Sequence, residues 1–312
     1  MTQTKANAEI RSDNDKQNHQ QGEAVMSAEN LNVVACIDGS RAAPAVCDYG
    51  AWASRHTGTP LMLLHVLDEG RYPAEPDLAG SIGLGSREHL LDELAELDRK
   101  RAKLALEHGH HLLDEAEARV KAAGVADIQK RQRHDNLTEA LTTLEKNTRL
   151  FVMGLHGESS SDRETHIGSQ LETVIRSVNR PILLVPDEFT EPRTAMVAFD
   201  GSVTAFKGVE MIAQSPVLKN LPLHLVMVGE ETPDRWEQLK KAEQMLHGLG
   251  VEITLAVQAG DVEPALHAYQ EQHDIDMLVM GAYGHSRIRQ FLVGSTTTMM
   301  LKTARKPLVI LR

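Results

Sequence analysis

The chain repeats itself, and that fact restricts its fold more than any other. Val33-Val34-Ala35-Cys36-Ile37-Asp38-Gly39-Ser40 is answered by Met196-Val197-Ala198-Phe199-Asp200-Gly201-Ser202. Leu150-Phe151-Val152-Met153-Gly154 is answered by Met277-Leu278-Val279-Met280-Gly281. Ile167-Gly168-Ser169 matches Val293-Gly294-Ser295, and Arg180-Pro181-Ile182-Leu183-Leu184-Val185 matches Lys306-Pro307-Leu308-Val309-Ile310-Leu311. Four matches in one order indicate a duplicated unit. The expected division is a first domain over 31–186, a second over 193–312, and a short polar linker, Asp187 to Pro192.

Within each copy the strands are short apolar runs rather than alternating ones. Leu61-Met62-Leu63-Leu64-His65-Val66 and Leu223-His224-Leu225-Val226-Met227-Val228 are a pair, each preceded by a proline at Pro60 or Pro222. Such runs suit strands covered on both faces, as in a parallel sheet. Helical patterns lie between them; Leu239, Ala242 and Leu246 share one face, and Gly248 and Gly250 end that helix. The predicted fold class is α/β: two tandem doubly wound parallel sheets of about five strands each. In the second copy strands are expected over about 194–200, 222–228, 251–257, 276–281 and 307–311, with helices over about 204–215, 234–247, 262–273 and 294–304. The first copy carries an insertion. A Gly-, Pro- and Asp-rich stretch over 68–85 reads as a loop, and a helix follows from about Arg87 to Ala123, striped by Leu90, Leu94, Leu97, Leu104 and Leu112. Gly109 is a candidate kink in it.

Composition narrows the function. Hydrophobic residues make up 41% of the 312, enough for a core in each half, and no apolar run is long enough to span a bilayer. The net charge of −11 argues against a general nucleic-acid binder. Cys36 and Cys47 lie in apolar patterns and read as buried thiols in a reducing compartment, so a cytoplasmic location is expected. The first residues are polar and charged, unlike a secretory signal. Residues 1–30 are too polar to offset chain entropy and are expected to be a disordered tail, with Met26 an alternative start.

The site chemistry gathers after the strand Met277 to Met280. That strand runs into Gly281-Ala282-Tyr283-Gly284; nine residues later Gly294-Ser295-Thr296 opens a helix. Glycines let the backbone approach an anion closely, and a helix N-terminus offers unpaired N–H groups and the positive end of its dipole. Ser295 and Thr296 add hydroxyl donors, and the intervening loop carries Arg287 and Arg289 with no acid. Together these residues make a candidate phosphate cradle. The bland alternatives are ordinary turns for the glycines, solvated charges for the arginines, and helix capping for Asp38 and Asp200.

Gly281, Gly284, Gly294 and Ser295 match, position for position, the Gly-two-Gly-nine-Gly-Ser/Thr loop of nucleotide-binding universal stress proteins. With the Asp-Gly-Ser after each first strand and the proline before each last one, the chain resembles a tandem member of that family across nearly everything beyond residue 30. The resemblance implies a Rossmann-like fold that binds an adenine nucleotide, ATP or ADP, with Mg²⁺ accompanying a triphosphate. It places Asp200 and Val228, with Met280, against the nucleotide, and Asp38 and Val66 at the same places in the first copy. It also implies pairing through the last strands, so that the two copies form an internal pseudo-dimer, and it allows a homodimer.

The first copy departs from the motif. Ten residues, Glu158 to Ile167, separate Gly157 from Gly168, and they include Glu158, Asp162 and Glu164. Each acid near a phosphate would cost on the order of 1 kcal/mol or more. Nucleotide is therefore expected in the second copy. His108, His110 and His111 lack convincing metal-ligand spacing and read as a helix surface, so no resident metal site is expected. Gly83-Leu84-Gly85 follows no strand and lacks the third glycine of a dinucleotide fingerprint. No Walker lysine, nucleophile or base is assembled, so no catalytic residue is assigned; a regulatory nucleotide-binding protein is favoured over a slow ATPase or nucleotidyl transferase. A third possibility is an interaction module docking through the long helix.

Overall fold

The structure, a computed structural model, describes residues 31–68, 86–155, 169–282 and 295–312. The first half runs β1 (Asn32–Cys36), α1 (Ala43–Thr57), β2 (Leu61–Asp68), α2 (Ser86–Ala122), β3 (Ile128–Asp135), α3 (Leu137–Leu144), β4 (Thr148–Gly154), α4 (Ser169–Ser177) and β5 (Ile182–Val185). The second half runs β6 (Ala195–Ala198), α5 (Val203–Gln214), β7 (Leu223–Val228), α6 (Pro233–Leu246), β8 (Ile253–Gln258), α7 (Val262–Gln272), β9 (Met277–Gly281), α8 (Ser295–Thr303) and β10 (Leu308–Leu311). Every element expected in the second half is present, within about three residues at each end. The tail over 1–30 lies outside the described residues, and so does the loop expected over 68–85 apart from Asp68, which ends β2.

All ten strands form one sheet in the order β3-β2-β1-β4-β5-β10-β9-β6-β7-β8. Each half is parallel throughout. Among the described residues the single antiparallel pair is β5 with β10, where Leu308 faces Leu184, Val309 faces Leu183 and Ile310 faces Ile182. Both strands are completely apolar and buried, so an uncovered edge here would expose backbone donors and acceptors beside a hydrophobic surface. Pairing them removes both edges. Alternation then sends Leu183, Val185, Val309 and Leu311 into one apolar layer, and Ile182, Leu184, Leu308 and Ile310 into the other. Helices α1, α2, α5 and α6 cover the first layer; α3, α4, α7 and α8 cover the second. The linker closes onto the first half: the Phe189 ring meets Tyr49 edge-on at 4.7 Å, and the Thr190 N–H donates to the Tyr49 hydroxyl at 3.2 Å.

Two features of the insertion helix differ from expectation. Gly109 sits inside one continuous helix and serves a close approach. A Cβ there would lie 2.5 Å from Cδ2 of His65 and 2.7 Å from Nε2 of Gln132. The leucine stripe is only partly used. Leu94, Leu97 and Leu104 are exposed, whereas Gly109, Leu113, Ala116 and Val120 make the buried face. His108, His110 and His111 are exposed on the same helix, and among the described residues no group of three His, Cys, Asp or Glu side chains could hold a metal. Strand β3 (IQKRQRHD) is an edge strand whose side chains are largely exposed; its polarity hides it from a hydrophobicity reading.

Candidate functional site

In the second half the chain builds β6, β7 and β8 outward to one side, then returns to add β9 and β10 on the other. The strand order therefore reverses between β6 and β9. At such a point the loops leaving two adjacent strands diverge to opposite faces and open a crevice at the carboxyl edge. Asp200 follows β6 and Gly281 ends β9, so these two residues flank the crevice.

The local geometry follows from short-range chemistry. Gly201 turns the chain out of β6 at φ +74°, in the left-handed region that favours glycine. The Asp200 carboxylate accepts from the Ser202 N–H at 2.9 Å, and Ser202 in turn caps α5 by accepting from the Ala205 N–H at 3.1 Å. The capping expected of Asp200 thus falls to Ser202, and Asp200 shapes the turn before it. In the first half the Asp38 carboxylate accepts from both the N–H and hydroxyl of Ser40, at 3.1 and 2.5 Å, and the N-cap of α1 is Ala42, which supplies no side-chain cap.

On the other wall, β9 ends at Gly281, and Ala282 donates to the Leu311 carbonyl at 2.8 Å. Helix α8 opens with Ser295, exposed, and Thr296, half-buried. Thr297, buried, ties that first turn back to the strand end: its hydroxyl lies 3.3 Å from the Gly281 carbonyl and 3.2 Å from that of Ala282. This anchor lies one residue beyond the motif, and its place on the helix face of buried Met300 and Leu301, three and four residues on, is the signal that could have found it. The first N–H groups of α8 have no partner within the helix.

A cavity of about 350 Å³ lies beside this strand end, lined by Val197, Ala198, Met280 and Gly281 and by Thr204 and Lys207 of α5. The structure thus brings Met280 and Gly281 together on one wall, with Asp200 exposed at the rim strand and Val228 half-buried at the end of neighbouring β7. Gly284, Arg287, Arg289 and Gly294 lie outside the described residues, as does the first-half loop Glu158 to Ile167. Three cations escape a motif reading: Lys207 and Arg312 on the cavity wall, where Glu210 also lies, and Arg235. The Arg235 guanidinium packs against Gly229, just past Val228, where a Cβ would meet Nη1 at 2.4 Å, and it donates to the Glu230 carbonyl.

A doubled, doubly wound α/β protein with a glycine-ended strand at each switch point is the class that fold and site define. The universal stress protein family model matches residues 29–186 and again 192–312, and the chain belongs to that family as a tandem member. It is 34% identical over 285 residues to Universal stress protein Slr1230 of Synechocystis, covering 90% of this chain and 99% of that one. A universal stress protein structure from Archaeoglobus fulgidus superposes with a TM-score of 0.64 at 18% identity, covering 91% of this chain and 97% of its own. A universal stress protein solved in complex with cAMP aligns with 39% of this chain and 99% of its own, at a TM-score of 0.34 and 19% identity.

Proposed function

We propose that this chain is a cytoplasmic ATP- or ADP-binding universal stress protein that uses the second half as its nucleotide site and acts as a regulatory or protective module. The observation that carries this reading is the crevice between β6 and β9, with Gly281 on one wall, Asp200 on the other and a 350 Å³ cavity beside them. That volume is within the range of small-ligand sites.

Binding would draw on few groups. The amides of the α8 first turn, with the Ser295 and Thr296 hydroxyls, would take phosphate oxygens; Gly281, Gly284 and Gly294 would leave room for them. Arg287 and Arg289 would balance charge. Asp200, Val228 and Met280 would line the nucleoside end. Mg²⁺ fits only as a phosphate-borne ion. Among the described residues no group of three ligands could hold the ion by itself, and an ion that keeps several waters needs only one or two protein oxygens, such as those of Asp200, beside the phosphates.

Calorimetry with ATP and ADP is expected to give one strong site per chain. Gly281→Val and Gly294→Trp should each remove most binding, whereas Gly168→Trp should leave it. Two equal sites, or binding indifferent to Gly294, would overturn the assignment. Native mass spectrometry of the purified chain should show the nucleotide it carries.

A further inference from the structure

The duplication supplies an internal control for a second cavity. Across the seam the two halves repeat their hydrogen bonds closely. Asn32 donates to the Asn147 carbonyl, and its counterpart Thr194 donates to the Asp274 carbonyl. Arg180 donates to the Glu145 carbonyl, and its counterpart Lys306 also donates to a carbonyl before the matching strand, that of Ile275, three residues beyond the position equivalent to Glu145. One position breaks the symmetry. Asp276, which opens the run into β9, accepts from the N–H groups of Arg193 and Thr194 at 2.9 and 3.1 Å, and the linker's Phe189 covers neighbouring Tyr49. Its counterpart in the first half is Arg149.

Around Arg149 no described residue takes those roles. The site is a cavity of about 220 Å³, walled by Arg149, Arg180 and Pro181 from the first half and by Met211, Val309 and Leu311 from the second. The Nε of Arg149 is buried and without a hydrogen-bond partner, and no carboxylate among the described residues pairs with either guanidinium. Burial, and then the nearby charge of Arg180, lowers the Arg149 pKa, so the two cations are held together at a cost. Guanidinium forks match carboxylates bidentately, and most of the remaining wall is apolar. At about 30 Å³ per water, the space holds roughly seven waters' worth of ligand.

We infer that this seam cavity is a binding site for a small organic carboxylate with an apolar body of about six carbons, held by Arg149 and Arg180. It adjoins the cavity beside the β6–β9 switch point, sharing Met211 and Leu311 with it, but Arg149, Arg180 and Pro181 belong to the seam cavity alone, and it is built only when the two halves pair. The carboxylate would supply at Arg149 the negative charge that Asp276 supplies at the sister position, and its hydrocarbon would cover Met211 as Phe189 covers Tyr49.

Hexanoate is the probe, with 1-hexanol as its uncharged control. Hexanoate should raise the thermal midpoint of the full chain and give saturable shifts of seam residues by NMR, and hexanol should do neither. Arg149→Met should weaken hexanoate tenfold or more while remaining folded without ligand, because it also removes the repulsion; Arg180→Met is the second variant should the first fail to fold. Neither change should alter ATP affinity. No saturable hexanoate binding, equal binding of hexanol, or affinity unchanged in both variants would overturn the inference. So would binding that appears only after Glu29→Gln, since the acid serving the cavity would then be the chain's own.

Discussion

Replacing Gly109 with alanine tests the packing of the insertion helix, because two effects of known sign oppose each other there. In an unencumbered helix interior the change should stabilise by about 1 kcal/mol. Here the new methyl would lie 2.5 and 2.9 Å from Cδ2 and Nε2 of His65 and 2.7 Å from Nε2 of Gln132, inside any normal contact. Gln132 is half-buried and can yield. His65 is buried, and its Nδ1 is bonded to the Ile37 carbonyl at 2.7 Å, so swinging it away costs that hydrogen bond, about 1 kcal/mol. Shifting the helix instead overpacks the α2–sheet interface at about 1–3 kcal/mol. The net expectation is a loss of up to about 2 kcal/mol. Urea denaturation followed by circular dichroism measures it, with Gly208→Ala as the reference: that glycine also lies within a helix, but its added methyl would meet only Leu311 at 3.4 Å. Gly208→Ala should raise the midpoint and Gly109→Ala should lower it. Against a His65→Ala background, Gly109→Ala should become neutral or stabilising. If Gly109→Ala raised the midpoint in the unaltered chain, the close approach would not be what selects glycine.

Three further outcomes are expected. Val309→Lys with Leu311→Lys buries two charges at the seam and should cost about 3 kcal/mol or more, separating the halves and promoting aggregation; hydrogen exchange over 182–185 should lose its protection, and protection retained would contradict the pairing. The Cys47 thiol, pushed up to about 12 by burial and then by the Asp48 charge, keeps a proton that the unfolded chain releases from about pH 9. Its contribution is therefore whole below pH 9 and falls between 9 and 12 by up to about 1.4 kcal/mol per pH unit, a slope Cys47→Ala should remove from a urea-midpoint series. ATP turnover should be slow or absent, since no nucleophile and base are assembled; sustained multiple turnover abolished by Asp200→Asn would favour an enzyme.

The sequence by itself determined the duplication, the helices and strands of the second half, and the position of the glycine motif after β9. These features rest on short-range rules: apolar run length, helical spacing, and glycine where the backbone must turn or approach closely. The apolarity of Ile182 to Val185 and Leu308 to Leu311 said that each strand must be covered; that they cover one another, rather than each pairing with another molecule, was implied by the family resemblance and decided by the fold. Only the tertiary structure decided what depends on partners far along the chain. Gly109 read as a kink because its reason, His65 and Gln132, lies on two other strands. The leucines of α2 read as one stripe, but Leu113, Ala116 and Val120 take the core, and Leu94, Leu97 and Leu104 remain exposed. Strand β3 carries no hydrophobic period because an edge strand needs none. The Thr297 anchor and the Asp276-to-Arg149 exchange were present as letters, but their meaning required knowing which carbonyl, cavity or carboxylate each side chain would face. Local pattern specifies elements; the contacts that tune them come from residues a hundred positions away, and only the folded chain brings those together.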